Sequence, residues 1–224
     1  MSRERRGGRL GGAVLAAAAL ALVAGCAPGP GKSAARGRDL FQTCAPCHGP
    51  DGAGSRELRA PAIAGLPEWY VAAQLAKFKD NVRGAHPDDM EGHRMRPMAR
   101  TLYQPGDLAA VAAHVAALKP VPAPASLAGD RAAGERHYRS VCVACHGPDG
   151  SGMAAMKSPP LAGQADWYLL EQLVKFKSGM RGAHRDDVTG AQMRAMAATL
   201  RDTTAMRDVV AYIKTLGPTA PGGR

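Results

Sequence analysis

The sequence predicts an all-α fold built as two copies of one small helical domain. Three observations carry that expectation. The chain aligns with itself at an offset of 98 residues, without a gap from Cys44 to Leu102, and about half the aligned positions are identical. Apolar residues recur at helical spacing within each copy, and no run alternates as a strand would. A proline-rich stretch, Pro120-Val121-Pro122-Ala123-Pro124, separates the copies and reads as a stiff, extended linker.

Each copy offers three helices in the same order. The first runs from Ala35 to Cys44, and again from Arg131 to Cys142. A middle helix spans roughly Glu68–Val82 and Asp166–Met180, with Trp, Leu and Phe at helical spacing. A closing helix spans roughly Pro105–Leu118 and Thr203–Leu216, and Pro105 followed by Asp107 makes a good helix start. Gly and Pro cluster after each first helix, as a wrapping loop requires.

The end of each first helix carries the chemistry. Cys44-Ala45-Pro46-Cys47-His48 and Cys142-Val143-Ala144-Cys145-His146 share the spacing of a covalent haem c attachment site. Each cysteine sulfur adds across one haem vinyl group. The three-residue step puts both sulfurs on one face of a helical turn, and the histidine that follows points its imidazole at the iron. A structural zinc site would want four ligands from one cluster, and a thioredoxin-like motif would want strands around it; neither context is present. Two sites imply two covalently bound haem c groups.

Four of the five cysteines belong to these sites. The fifth, Cys26, ends a segment with Arg3, Arg5, Arg6 and Arg9, then an alanine-rich apolar run from Ala13 to Val23. That run is too short to span a bilayer and reads as an export signal. Val-Ala-Gly-Cys at its end resembles a bacterial lipobox, which would place lipid on Cys26, against the alternative of ordinary cleavage nearby. The expected organisation is residues 1–25 as a lipoprotein-type signal peptide, 33–119 as the first domain, 120–128 as linker and 129–217 as the second domain. The expected place is the periplasmic side of a bacterial membrane, with the lipid as anchor.

Aromatics are only 4% of the chain, so side chains alone build a modest core, and each haem would supply a large flat apolar body to pack around. The formal charge is +10, part of it in the signal segment and part offset by four haem propionates. No long Lys/Arg run interleaved with aromatics suggests nucleic acid as a partner; a basic surface for docking an acidic redox partner is the plainer reading.

Each copy also offers a matched Met pair, Met95-Arg96-Pro97-Met98 and Met193-Arg194-Ala195-Met196, expected between the middle and closing helices. A thioether is a good sixth iron ligand, and it raises the potential relative to a second imidazole. The rivals are His86 and His184, but their setting, Arg-Gly-Ala-His followed by Asp-Asp, reads as a polar surface loop with capping or haem-edge roles. Buried propionates need donors or cations nearby. Tyr70, Gln74 and Arg83, with their counterparts Tyr168, Gln172 and Arg181, recur where they could reach the haem edge. The alternative is that Tyr and Gln only pack the middle helix while Arg sits in solvent.

On these residues the chain resembles the dihaem cytochrome c4 family. The resemblance runs from about Arg36 to Leu216 and rests on the two Cys-x-x-Cys-His sites, the Tyr and Gln-Leu of each middle helix, and Met-x-x-Met-x-x-x-Leu before each closing helix. It implies two tandem cytochrome c domains related by a pseudo-twofold axis, with propionates facing across the interface. It also implies Met95 and Met193 as axial ligands, with Met98 and Met196 packing beside them. The Arg-Gly-Ala-His-x-Asp-Asp loops and the lipid anchor depart from that pattern and suggest a relative serving a specific membrane complex. The expected role is an electron carrier in a respiratory chain, exchanging electrons with a quinol-oxidising complex, a terminal oxidase or a dehydrogenase. A dihaem peroxidase is the enzymatic alternative, and an electron-transfer subunit of a dehydrogenase or oxidase complex is the third reading. Matching Met pairs in two equivalent halves argue against the division of labour a peroxidase needs.

Overall fold

The computed structural model describes residues 30–217, with side chains from Ser33 onward. The signal segment and Cys26 lie outside the described residues. Ten α-helices follow one another: α1 (Pro30–Phe41), α2 (Ala45–His48), α3 (Glu68–Lys79), α4 (Met90–Arg100) and α5 (Asp107–Ala117) in the first copy, then α6 (Arg131–His137), α7 (Val143–His146), α8 (Asp166–Ser178), α9 (Val188–Ala198) and α10 (Thr203–Ile213) in the second. Among the described residues there is no strand, only two isolated bridges, Ser55 with Ala60 and Met153 with Ser158. No helix among them is long and apolar enough to cross a membrane.

Each copy is closed by its first helix crossing its last. Gly37 on α1 lies so close to α5 that an added Cβ would stand 2.3 Å from the Ala110 carbonyl oxygen; at Gly134 on α6 the same atom would stand 1.9 Å from the Asp208 oxygen on α10. Only glycine permits such backbone-on-backbone contact. These paired glycines are 97 residues apart, whereas the cysteines downstream are 98 apart. The extra residue is absorbed in a π-helical turn, Tyr138–Cys142, which extends α6. A π-turn is a one-residue insertion into a helix. It puts Tyr138, fully buried, where the first copy has Phe41, and its hydroxyl donates to the Gly147 carbonyl at 2.7 Å.

The cores differ in size. Phe41, Leu102, Val111 and Val115 centre the first. Tyr138, Leu169, Leu200, Met206, Val209, Val210, Tyr212 and Ile213 form the second.

Two helices, α4 and α9, were not expected: the Met pairs, placed between the middle and closing helices, sit on helices of their own. Each starts at an aspartate that caps it, Asp89 accepting from Gly92 N–H and Asp187 from Gly190 N–H, both at 3.0 Å. In α4 the helix continues through Pro97.

The segment after α5 runs without helix or strand to residue 130 and is pinned to the second copy. The Asp166 carboxylate accepts from the backbone N–H of Ser126, from the Ser126 hydroxyl at 2.9 Å and from Leu127 N–H at 2.7 Å. Lys214 donates to the Ala123 carbonyl at 2.8 Å. The linker is therefore a strap along the second copy.

Candidate functional site

Each Cys-x-x-Cys-His pentapeptide folds into a single helical turn, α2 and α7, that begins just after its first cysteine. Cys44 and Cys142 are half-buried, and burial followed by the neighbouring cysteine pushes each thiol up to about 11. His48 and His146 are buried at 6% and 5% exposure. The Nδ1 of His48 lies 2.8 Å from the Pro61 carbonyl, and that of His146 lies 2.9 Å from the Pro159 carbonyl. A carbonyl only accepts, so Nδ1 carries the proton and Nε2 keeps its lone pair. Burial also pushes both imidazoles below their ordinary range, which favours the neutral form. A neutral imidazole with Nδ1–H anchored on a backbone carbonyl is the form that ligates iron.

Met95 and Met193 are half-buried on α4 and α9; Met98 and Met196 are more open, at 38% and 41% exposure. His86 and His184 lie in loops where the Nδ1 of each accepts from the backbone N–H two residues on, at 3.2 Å. They act as local caps of those loops.

The structure brings the six candidate propionate contacts into one cluster where the copies meet. Arg83 donates to Gln74 of its own copy at 2.8 Å, and to Gln172 and Tyr168 of the other at 3.1 and 3.3 Å. Arg181 mirrors it, donating to Gln172 at 2.8 Å and to Gln74 at 2.9 Å. Each guanidinium stacks on the phenylalanine of its own middle helix, Arg83 on Phe78 at 4.5 Å and Arg181 on Phe176 at 4.4 Å. Arg181 is 8% exposed. Burial first and then the facing Arg83 push it down, although a guanidinium remains charged at neutral pH. Burial pushes the Tyr168 phenol up, but the two guanidiniums outweigh it and hold the group below its ordinary range.

No carboxylate among the described residues hydrogen-bonds to either guanidinium. The Nε of Arg181 is buried with no partner at all. A buried and a half-buried cation, Arg181 and Arg83, ringed by neutral amides and phenols call for anions. The carboxylates of covalently bound haem fit that requirement, so the residues present suit the group.

A second layer, which the sequence did not single out, locks the copies together. Lys77 donates to Asp187 at 2.5 Å and to Thr189 at 2.6 Å. Its counterpart Lys175 meets Asp89, Glu91 and Glu171, each at 2.7 Å. Arg59 joins the same cluster, bonding Glu91 and lying 2.8 Å from Glu171. Asp89 and Asp187 thus cap the Met-bearing helices and bind the opposite copy with the same carboxylates. The signal for them was the second aspartate of each Arg-Gly-Ala-His-x-Asp-Asp run, which reads locally as a helix cap but says nothing about a lysine a hundred residues away.

The comparisons with known proteins agree with this architecture. A family model described as cytochrome c matches twice, over residues 34–119 and 131–217. A cytochrome c4 from Azotobacter vinelandii is 32% identical over 177 residues, covering 75% of this chain and 81% of its own. A thiosulfate dehydrogenase electron acceptor from Stutzerimonas stutzeri is 36% identical over 166 residues, covering 69% of this chain and 72% of its own. The crystal structure of reduced recombinant cytochrome c4 from Pseudomonas stutzeri superposes with a TM-score of 0.65 at 28% identity, covering 82% of this chain and 98% of that one. The chain therefore belongs to the cytochrome c family, as a two-domain protein of the cytochrome c4 type that transfers electrons rather than catalysing a reaction and carries two covalently bound haem c groups.

Proposed function

We propose that this protein relays electrons on the periplasmic side of a bacterial membrane, within a respiratory chain, and that both halves use the same ligand set. Cys44 and Cys47 hold one haem by thioethers, and Cys142 and Cys145 hold the other. His48 with Met95, and His146 with Met193, would supply the iron ligands. Haem bound in this way supplies one-electron iron chemistry with His/Met ligation. The chain's own residues do the rest. Pro61 and Pro159 carbonyls fix each imidazole's tautomer and angle. Arg83, Arg181, Tyr70, Gln74, Tyr168 and Gln172 hold propionate charge at the seam between the halves. The observation that carries this reading is the guanidinium pair, Arg181 buried and Arg83 half-buried, with an orphaned Arg181 Nε and no bonded carboxylate among the described residues.

The donors and acceptors we propose are a quinol-oxidising complex or a substrate dehydrogenase on one side and a terminal oxidase on the other. The similarity to a protein named for accepting electrons from thiosulfate dehydrogenase supports a dehydrogenase as donor. Attachment through lipid on Cys26 rests on the Val-Ala-Gly-Cys sequence alone, which lies outside the described residues.

The test is optical and electrochemical. Oxidised protein should show the weak far-red Met-to-iron band, and Met95→Ala and Met193→Ala should each remove about half of it. Loss of the band in His86→Ala or His184→Ala instead would overturn the ligand set. Arg83→Gln and Arg181→Gln should each lower midpoint potentials by about 50 mV, the effect of one charge across roughly 15 Å at an effective dielectric of about 20. Because each guanidinium bonds to both copies, both haems should feel the change. Unaltered potentials would leave the arginine cluster as packing alone.

A further inference from the structure

The second copy carries a basic groove that the first copy fills with its own side chains. It measures about 440 Å³ and lies between the end of α8, the loop at 182–185 and one face of α9. Lys177, His184, Arg185 and Arg194 line it over a floor that includes Ala191 and Ala195. At about 100° per residue, Ala191 and Ala195 stand some 160° around α9 from Met193, so the groove opens away from the candidate haem face.

The cations there are under-used. Arg194 makes no side-chain hydrogen bond among the described residues. Lys177 donates to the carbonyls of Ala198, at 3.4 Å, and Leu200, which leaves it one further proton. The Nδ1 of His184 is occupied by the Asp186 N–H at 3.2 Å, so Nε2 is the ring's remaining polar atom. Asp186 sits at the rim, its carboxylate 3.7 Å from both His184 and Arg185. Three permanent positive charges still outnumber it.

In the first copy the same place is closed. The Asn81 side chain accepts from Arg96 at 2.7 Å and from Arg100, and Arg96 also lies 3.3 Å from the His93 ring. The second copy keeps the central arginine, as Arg194, but has Gly179 for Asn81, Ala191 for His93 and Ala198 for Arg100. It adds Arg185 where the first copy has Pro87. The substitutions remove the internal acceptor, open space and bring in charge.

The geometry points to a binding site for a small tetrahedral dianion of the sulfate or phosphate class, held by Arg194 and Lys177 with Arg185 and His184 at the rim. Donors arranged on three sides suit a group with several acceptor oxygens and two negative charges better than a single planar carboxylate.

Calorimetric titration of the haem-loaded protein at low ionic strength tests this, using sodium sulfate and sodium phosphate separately against sodium chloride at matched ionic strength. One saturable site per chain is expected, and the arm that saturates identifies the oxyanion. Arg194→Gln should weaken binding about tenfold or more, while Arg96→Gln should change it less than about twofold. Gly179→Asn should also weaken it by handing Arg194 an internal acceptor. That variant is sterically tolerated: Gly179 has φ +81 with nothing within 4 Å of an added Cβ, and Asn81 already sits at φ +62 in the first copy. Saturation no better than chloride, unchanged affinity in Arg194→Gln, or equal loss in Arg96→Gln would each overturn the site.

Discussion

The two copies share one plan but hold the interface with different charge. On one side Lys175 and Arg59 face Asp89, Glu91 and Glu171, two cations among three carboxylates. On the other, Lys77 faces Asp187 and the neutral Thr189, and Lys157 lies 5.9 Å from the centre of the Trp69 ring of the opposite copy. The repeated backbone is kept, down to the left-handed conformation of both Arg59 (φ +52) and Lys157 (φ +54), which costs a non-glycine residue on the order of 1 kcal/mol. Duplication therefore fixed where the interface contacts fall, and later substitution set their strength. The lesson is that repeated backbone geometry does not imply repeated electrostatics.

The largest expected test of this contrast is removal of the two lysines. Lys175→Ala breaks three ion pairs, strands the buried Asp89 and leaves Glu91 and Glu171 to Arg59 alone, and should cost about 3–5 kcal/mol in denaturant unfolding of the haem-loaded protein. Lys77→Ala breaks one ion pair, that to Asp187, and should cost about half as much. Equal costs would break the comparison.

Acid should act on the side that holds Glu91. Burial pushes the Glu91 carboxyl up, but hydrogen bonds from Lys175 and Arg59 outweigh it and hold the group at about 2. Its folded value is below its ordinary 4.5, so its contribution is complete above that pH and is lost as pH falls from 4.5 towards about 2. Glu91→Gln should flatten unfolding stability across that window. Thr189→Glu, which puts a carboxylate beside Lys77, should add acid dependence on the other side. A pH profile identical in Glu91→Gln and wild type would remove Glu91 from the latch.

The smallest expected effect concerns the extra residue in the second copy. Deleting Ser140 from the π-turn should restore the spacing of the first copy and change stability by about 1 kcal/mol or less. Deleting Thr43 has no insertion to absorb it. It would rotate α1 by about 100° and drive side chains into the Gly37 crossing, which should cost well over that amount in the same unfolding assay.

Much of this architecture was legible because it is local. A Cys-x-x-Cys-His turn needs only five residues, the middle helices announce themselves by apolar spacing, and a run of alternate prolines stays extended wherever it lies. Local reasoning failed at α4 and α9. Pro97, Gly92 and Gly190 lower helix propensity there, and those helices are held by a capping aspartate and by packing. The Met pairs were visible, but the helices that carry them were not.

The residues whose environment is set across the interface could not be read at all from their neighbours. Lys77 and Lys175 look like solvated helix charges in sequence, and Arg83 and Arg181 fit solvent and a buried cluster equally well. Which reading holds depends on which surfaces meet, and those partners lie about 85 to 112 residues away. The sequence by itself determined the duplication, the haem-attachment turns and the helical class, since each follows from covalent spacing and short-range periodicity. Only the tertiary structure decided which charges are buried and what they face, because desolvation and Coulomb attraction depend on distance in space and not along the chain.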